Sequence, residues 1–173
     1  MLSQSTPQSG HDGPYPAPVD VRGFAVRPEW IDYNGHMNVG YYGVAFDQAL
    51  DVMLEEHLGT GKTYVETAGY GPYILQSHVQ FRRELLEGEG FRVEFLLLDH
   101  DAKRMVYFAR MISERDDALC ATQEALLMNV SQETGRGAPF PDWAQARIAR
   151  MAAAHEALPA DPAIGARLGI RRD

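Results

Sequence analysis

The apolar positions of this chain change period once. Tyr42, Ala45, Phe46, Ala49, Leu50, Met53, Leu54 and Leu58 recur at intervals of three and four residues, which is the stripe of an amphipathic helix. That spacing predicts a helix from about Val39 to Leu58, with Asn38 as its N-cap and Gly59 just past its end. From Tyr73 onward the period falls to two. Tyr73–Arg82 sets Leu75, Ser77, Val79 and Phe81 against Gln76, His78, Gln80 and Arg82. Phe91–Leu98 sets Phe91, Val93, Phe95 and Leu97 against Arg92 and Glu94. Arg104–Glu114 sets Val106, Phe108 and Ile112 against Tyr107, Ala109 and Met111, and Leu119–Val130 is the last strand candidate. A period of two places neighbours on opposite faces of a strand. The separators LEGEG, DHDA and RDD are short and turn-rich, so antiparallel hairpins are expected. Ahead of the helix, Val19–Arg27 reads as a further strand with imperfect alternation, ending at Pro28. Thr60–Gly71 carries Gly61, Gly69 and Gly71 and reads as a connection. A last helix is expected over Asp142–Leu158, bounded by Pro159 and Pro162.

One strand, a long helix, four strands and a terminal helix make an α+β fold, with an antiparallel sheet of about five strands. A helix of about 20 residues spans roughly 30 Å, long enough for the sheet to curl around it. Gly40 and Gly43 cost about 1 kcal/mol each of helix propensity relative to Ala. Close approach of another backbone is the expected compensation. Such a sheet leaves edges open, and pairing across a two-fold axis covers them, so a homodimer or dimer of dimers is expected. The expected divisions are a flexible arm over 1–18, a main domain over 19–140, and a C-terminal helix with a loosely held tail over 141–173.

Composition narrows the function classes. Apolar residues make up 45% and charged residues 23% of the 173 positions, which is ordinary for a globular domain with a real core. A net charge of −8 argues against a nucleic-acid partner, which would require a basic stripe. No apolar run approaches the roughly 18 residues of a membrane span. The opening MLSQSTPQSGHDGPYPAP does not read as a signal peptide. The single cysteine, Cys120, lies in an apolar run and reads as a structural thiol in a reducing, cytoplasmic compartment. It also removes the common zinc patterns, and Asp32, His36 and His57 are not spaced as a ligand set.

Potential chemistry concentrates just before the long helix. PEWIDYNGHMNVGYYGVAFDQA places Asp32, Asn34 and His36 within five residues. A carbonyl at the helix start would meet amides near Gly35, Met37 and Asn38 and the positive end of the helix dipole, an oxyanion-hole arrangement. Asp32 would serve as general base toward water or as nucleophile, His36 as an alternative base or positioning group, and Asn34 as a holder of water or carbonyl. The plainer reading is a turn and cap. Asp and Asn are common before helices, and Gly35 suits a turn.

W-I-D-Y-N-G-H-M-N-V-G-Y-Y, followed by a long helix and four strands, resembles the hotdog-fold acyl-CoA thioesterases of the 4-hydroxybenzoyl-CoA thioesterase-like branch, over about Val19 to Val130. K-R-M-V-Y-F-A-R-M and A-T-Q-E-A-L-L-M-N-V are similar to the subgroup containing betainyl-CoA thioesterases. The resemblance implies a sheet wrapped around the helix, a site at a dimer interface, an acyl-CoA substrate, and no metal or organic cofactor. It places the family's catalytic aspartate on Asp32. D-x-N-x-H is also similar to plant acyl-carrier-protein thioesterases, whose asparagine and histidine match Asn34 and His36. Both sets are present, so the base is Asp32 or His36.

Further candidates surround this loop. Glu124, mid-strand in an apolar run, is a possible second carboxylate. His78 lies on the polar face of its strand and reads as a surface residue. Arg82, Arg83, Lys103 and Arg104 at strand ends are candidates for the coenzyme A phosphates. Trp30, Tyr33, Tyr41, Tyr42, Phe46 and Tyr73 offer faces to an acyl pocket, and a quaternary ammonium would favour such faces. A thioester hydratase or dehydratase, and a non-enzymatic acyl-CoA-binding dimer, are the alternatives. D-x-N-x-H is shorter than the D-x-N-x-x-H of hotdog hydratases.

Overall fold

The structure, a computed structural model, describes residues 9–169. Strands β1 (Val19–Ala25), β2 (Tyr70–Phe81), β3 (Gly90–His100), β4 (Arg104–Ser113) and β5 (Leu119–Ser131) form one antiparallel sheet. Their order is β1-β3-β4-β5-β2. The β3–β4–β5 meander arises from its short turns. β2 reaches the outer side of β5 because α1 (Val39–Met53) and α2 (Lys62–Ala68) intervene between β1 and β2. Among the described residues no helix is long and apolar enough to cross a membrane.

The core lies between α1 and the inner face of the sheet. Val93, Phe95 and Leu97 of β3, Met105, Tyr107, Ala109 and Met111 of β4, and Ala121, Ala125 and Leu127 of β5 cluster with Phe46, Ala49, Leu50 and Met53 of α1. Truncating a side chain as buried as Phe46 to Ala typically costs about 3–5 kcal/mol. Helical winding continues as one π turn over Leu54–Leu58, and Gly59 closes it at φ 72°. The imperfect alternation of β1 has a local cause. Its pairing passes from Val21↔Val93 to Phe24↔Phe91, which inserts one extra residue at a bulge containing Gly23.

Several expectations are corrected. The stretch read as a connection contains α2, too short for its period to be seen between glycines. Tyr64 anchors it, buried, with its hydroxyl 3.3 Å from Asn129 Oδ1. β2 starts at Tyr70 and carries Pro72, which its edge position tolerates. Among the described residues no other backbone closes on Gly40 or Gly43. A Cβ at Gly43 would meet nothing within 4 Å, and one at Gly40 only Asn38 Oδ1.

The arm and tail are also corrected where they are described; residues 1–8 and 170–173 lie outside the described residues. From Ser9 the chain packs against α3 (Asp142–His155) and the π turn. The buried Arg147 guanidinium donates to Asp12 (3.0 Å), to the Ser9 carbonyl (3.0 Å) and to the Leu58 carbonyl (3.1 Å). A buried guanidinium requires such acceptors. His155 Nδ1 accepts from the Leu97 amide at 2.9 Å, so Nε2 carries the proton and donates to the Pro16 carbonyl at 2.9 Å. Burial holds the pKa of His155 below its usual value, favouring the neutral ring. In the tail, Ala163 is buried against Leu96 and Phe108 on the outer face of the sheet.

Edge strand β2 keeps apolar side chains exposed to solvent. Tyr73, Ile74, Leu75 and Phe81 on this edge strand are 41–49% exposed.

Candidate active site

The loop before α1 is a closed turn. The Asp32 amide donates to the His36 carbonyl (3.1 Å) and the Gly35 amide to the Asp32 carbonyl (3.0 Å). Gly35 sits at φ 83°, which glycine adopts without strain. The turn is stitched to its surroundings by the Asn38 amide, which donates to the Trp30 carbonyl (2.9 Å), and by the Met37 amide, which donates to the Leu85 carbonyl (2.9 Å). Buried Met37 pins the loop to the core.

Asp32 is half-buried. Its Oδ1 accepts from the Asn34 amide at 2.8 Å, and its Oδ2 faces Asn38 Nδ2 at 3.4 Å. Asn38 Oδ1 accepts from the Gly40 amide at 2.9 Å, so the predicted N-cap forms. A carboxylate can accept about four hydrogen bonds. Asp32 therefore keeps acceptor capacity for a water or a substrate proton. The ring of His36 is half-buried, with Nδ1 3.5 Å from the Met37 carbonyl.

These groups open onto one cleft of about 550 Å³, lined by Asp32, Tyr33, Asn34, His36, Met37, Asn38 and Val39 from the loop side. Tyr42 of α1 and Phe81, Arg82, Arg83 and Glu84 after β2 line the other side. Tyr42 packs edge-on against Phe81 at 5.1 Å, and its hydroxyl accepts from the Leu85 amide at 3.2 Å. Burial raises the pKa of Tyr42, so the phenol stays protonated.

The expected oxyanion donors are corrected. The amides of Gly35, Met37 and Asn38 are already engaged by the carbonyls of Asp32, Leu85 and Trp30. Among the described residues the amides of His36 and Val39 have no acceptor. Val39 is the first residue of α1, where the helix leaves its N–H groups unpaired. Spacing alone did not distinguish engaged from free amides.

Other candidates disperse. Trp30 and Tyr41 stack on each other at 5.6 Å, and Phe46 is fully buried in the core. Tyr73 pairs with Met128, whereas Phe81, at the cleft, pairs with Ala121. Arg104 also pairs with Met128. Seven strand residues separate these two levels, roughly 23 Å. Lys103 and Arg104 thus sit at the far end of the sheet, and Arg104 is held by Asp101 at 2.8 Å. Glu124 shares the outer face with Leu126 and Met128, pairs across from His78, and accepts from the Gly165 amide at 2.7 Å. Its groove, shared with Gln76 and Ala166, is separate from the cleft. Arg83 is engaged by Asp116 (2.8 and 2.7 Å) and Glu89 (2.9 Å). The Arg82 guanidinium donates to Gln80 at 2.7 Å and forms no ion pair among the described residues. Phe81 and Glu84 were missed. Their position beside Arg82 and Arg83 at the end of an alternating run was the available signal.

Among the described residues no group of three or more His, Cys, Asp and Glu side chains is placed to hold a metal ion.

Comparison with known proteins is consistent across sequence and structure. The family model described as the thioesterase-like superfamily matches residues 26–148. The chain is 35% identical to a betainyl-CoA thioesterase of Pseudomonas aeruginosa over 146 residues, which is 84% of this chain and 91% of that protein. It is 30% identical over 147 residues to an L-carnitine dehydrogenase/betainyl-CoA thioesterase of Rhizobium meliloti, covering 85% of this chain but only 29% of that longer protein. A Staphylococcus aureus protein solved in complex with CoA superposes with a TM-score of 0.77 at 25% identity, covering 87% of this chain and 98% of that one. A DHNA-CoA thioesterase from the same organism gives 0.64 at 22% identity, covering 73% and 87%, and shares the fold.

Proposed function

The chain belongs to the thioesterase-like superfamily, and from that premise we propose that it hydrolyses an acyl-CoA thioester to a carboxylate and free coenzyme A. The observation that carries this reading is the Asp32 carboxylate. It has acceptor capacity to spare, on a closed turn beside the free amides of His36 and Val39, in an open cleft.

In this reading the thioester carbonyl lies against the amides of His36 and Val39, which replace the expected trio. They stabilise the negative charge that develops on oxygen as the tetrahedral intermediate forms. Asp32 is the reacting carboxylate, as base toward water or as nucleophile. Asn34 and His36 orient the water or the carbonyl. Arg82 meets a phosphate of coenzyme A at the cleft mouth. The S–C bond breaks, sulfur leaves as the thiol, and the acyl group leaves as a carboxylate. The names of the two relatives make betainyl-CoA the first substrate to test, and Tyr33, Tyr42 and Phe81 are the aromatic faces available to its quaternary ammonium.

The exposed apolar side chains of edge strand β2 support pairing with a second copy, giving a homodimer or a dimer of such dimers.

The experiment is an acyl-CoA panel that includes betainyl-CoA, read with a thiol-detecting reagent on the wild type, Asp32→Asn and His36→Ala. Thiol release with a substrate-dependent rate is expected, and both variants fall well below wild type. Turnover without thiol would indicate a hydratase, and binding without turnover an acyl-CoA carrier. Wild-type rates in both variants would remove the site assignment.

A further inference from the structure

A helix cap needs only an acceptor, yet the residue capping α1 presents both an acceptor and a donor. Asn38 Oδ1 takes the Gly40 amide at 2.9 Å. That amide can only donate, so the atom facing it is oxygen, and the NH₂ group must point the other way. There it meets Asp32 Oδ2 at 3.4 Å. The backbone of Asn38 is held on both sides. Its amide donates to the Trp30 carbonyl at 2.9 Å, and its carbonyl accepts from the Tyr41 amide at 3.0 Å. One rigid residue therefore touches the helix start with one end of its carboxamide and the loop carboxylate with the other.

Capping does not by itself select asparagine here. Asp and Ser cap comparably, and Asp adds a favourable interaction with the helix dipole. Asp at this position would turn a like charge toward Asp32, and Ser would not span the gap. The same cap engages the Gly40 amide and leaves that of Val39 free.

We propose that Asn38 is a positioning residue. Its carboxamide locks the Asp32 carboxylate to the first turn of α1, fixing the separation between the reacting oxygen and the Val39 amide. This rests on the reading of Asp32 as the reacting carboxylate. A displacement of about 1 Å in such a pair can cost about 100-fold in rate.

The test compares Asn38→Asp and Asn38→Ser with Asp32→Asn, on whichever acyl-CoA of the panel the wild type hydrolyses. Both Asn38 variants retain an N-cap acceptor, so Tm is expected to stay within about 2 °C of wild type. In Asn38→Asp, kcat falls about 10- to 100-fold with KM nearly unchanged. The acid limb of its kcat/KM profile moves to higher pH, because a second carboxylate beside the first disfavours ionisation. Asn38→Ser loses about tenfold in kcat without that displacement. Wild-type kcat and pH profile in Asn38→Asp, while Asp32→Asn is inactive, would overturn the positioning role alone. So would a loss of kcat that merely tracks a loss of Tm. Full activity in Asp32→Asn would instead overturn the underlying reading.

Discussion

Two aspartates of this protein sit in turns of the same local kind, and they differ in what is left over. At the β3–β4 hairpin, Asp101 Oδ1 accepts from the amides of Lys103 and Arg104, both at 2.8 Å. Its Oδ2 accepts from the Arg104 guanidinium at 2.8 and 2.5 Å. Arg104, followed by the backbone amides, holds the carboxyl down to a pKa of about 2. In the loop before α1, Asp32 has one amide at 2.8 Å and one carboxamide at 3.4 Å, and among the described residues no cation is bonded to it. A saturated carboxylate closes a turn. An unsaturated one, facing a cleft beside free amides, can accept a proton from something that is not protein. Turn chemistry in the sequence flagged both, and only the hydrogen-bond inventory separates them.

The largest expected effect tests the Asp32 side. Asp32→Asn keeps the acceptor for the Asn34 amide but removes the base, so kcat should fall by about 10²–10⁴ while Tm moves by no more than about 2 °C. A stopped assay and a thermal melt on one preparation measure both. If the rate loss came with unfolding, Asp32 would be a turn residue like Asp101.

Arg82→Ala comes next. It removes the cleft cation that forms no ion pair among the described residues, so KM for an acyl-CoA should rise roughly 3- to 10-fold at low salt with kcat little changed. The difference should shrink as ionic strength screens the contact. An Arg83→Ala variant sharpens the point, because Arg83 is engaged by Asp116 and Glu89 and its loss should register in stability instead.

The smallest effect is on the Asp101 side. Asp101→Ala should leave kcat and KM at wild-type values and lower Tm by about 2–4 °C. Its pH signature has a definite sign. A carboxyl held below its unfolded value of about 3.8 adds stability above that pH and loses it as pH falls toward about 2. The wild-type and Asp101→Asn acid-unfolding curves should therefore differ at pH 5 and converge as pH falls through that window. The group is exposed, so solvent keeps the difference small.

The helix, β2 and β3 were legible from a local period, and β4 and β5 as apolar runs between turn-rich separators. α2 was not, since seven residues between glycines show too little of a period, and Tyr64 holds it through a partner 65 positions away. The packing of residues 9–18 was hidden for a related reason. Pro, Gly and Ser imply an unstructured arm unless a distant buried group such as Arg147 demands their carbonyls. Within the site, Asp32, Asn34 and His36 were legible as a cluster because they are contiguous. The distance of Glu124, Tyr73, Lys103 and Arg104 from the cleft within this chain depended on strand register, which assigns each to another face or to the far end of the sheet.

By itself, the sequence determined the α+β class, the long capped helix, the antiparallel strands and the loop where chemistry would lie. All of these follow from side-chain spacing along a chain of fixed local geometry. The tertiary structure alone decided which amides stay free, which of the two cleft arginines remains outside the ion pairs among the described residues, and which end of the sheet closes the cleft. Those depend on hydrogen bonds between segments far apart in the chain, and a donor is available to a substrate only if no distant carbonyl has already taken it.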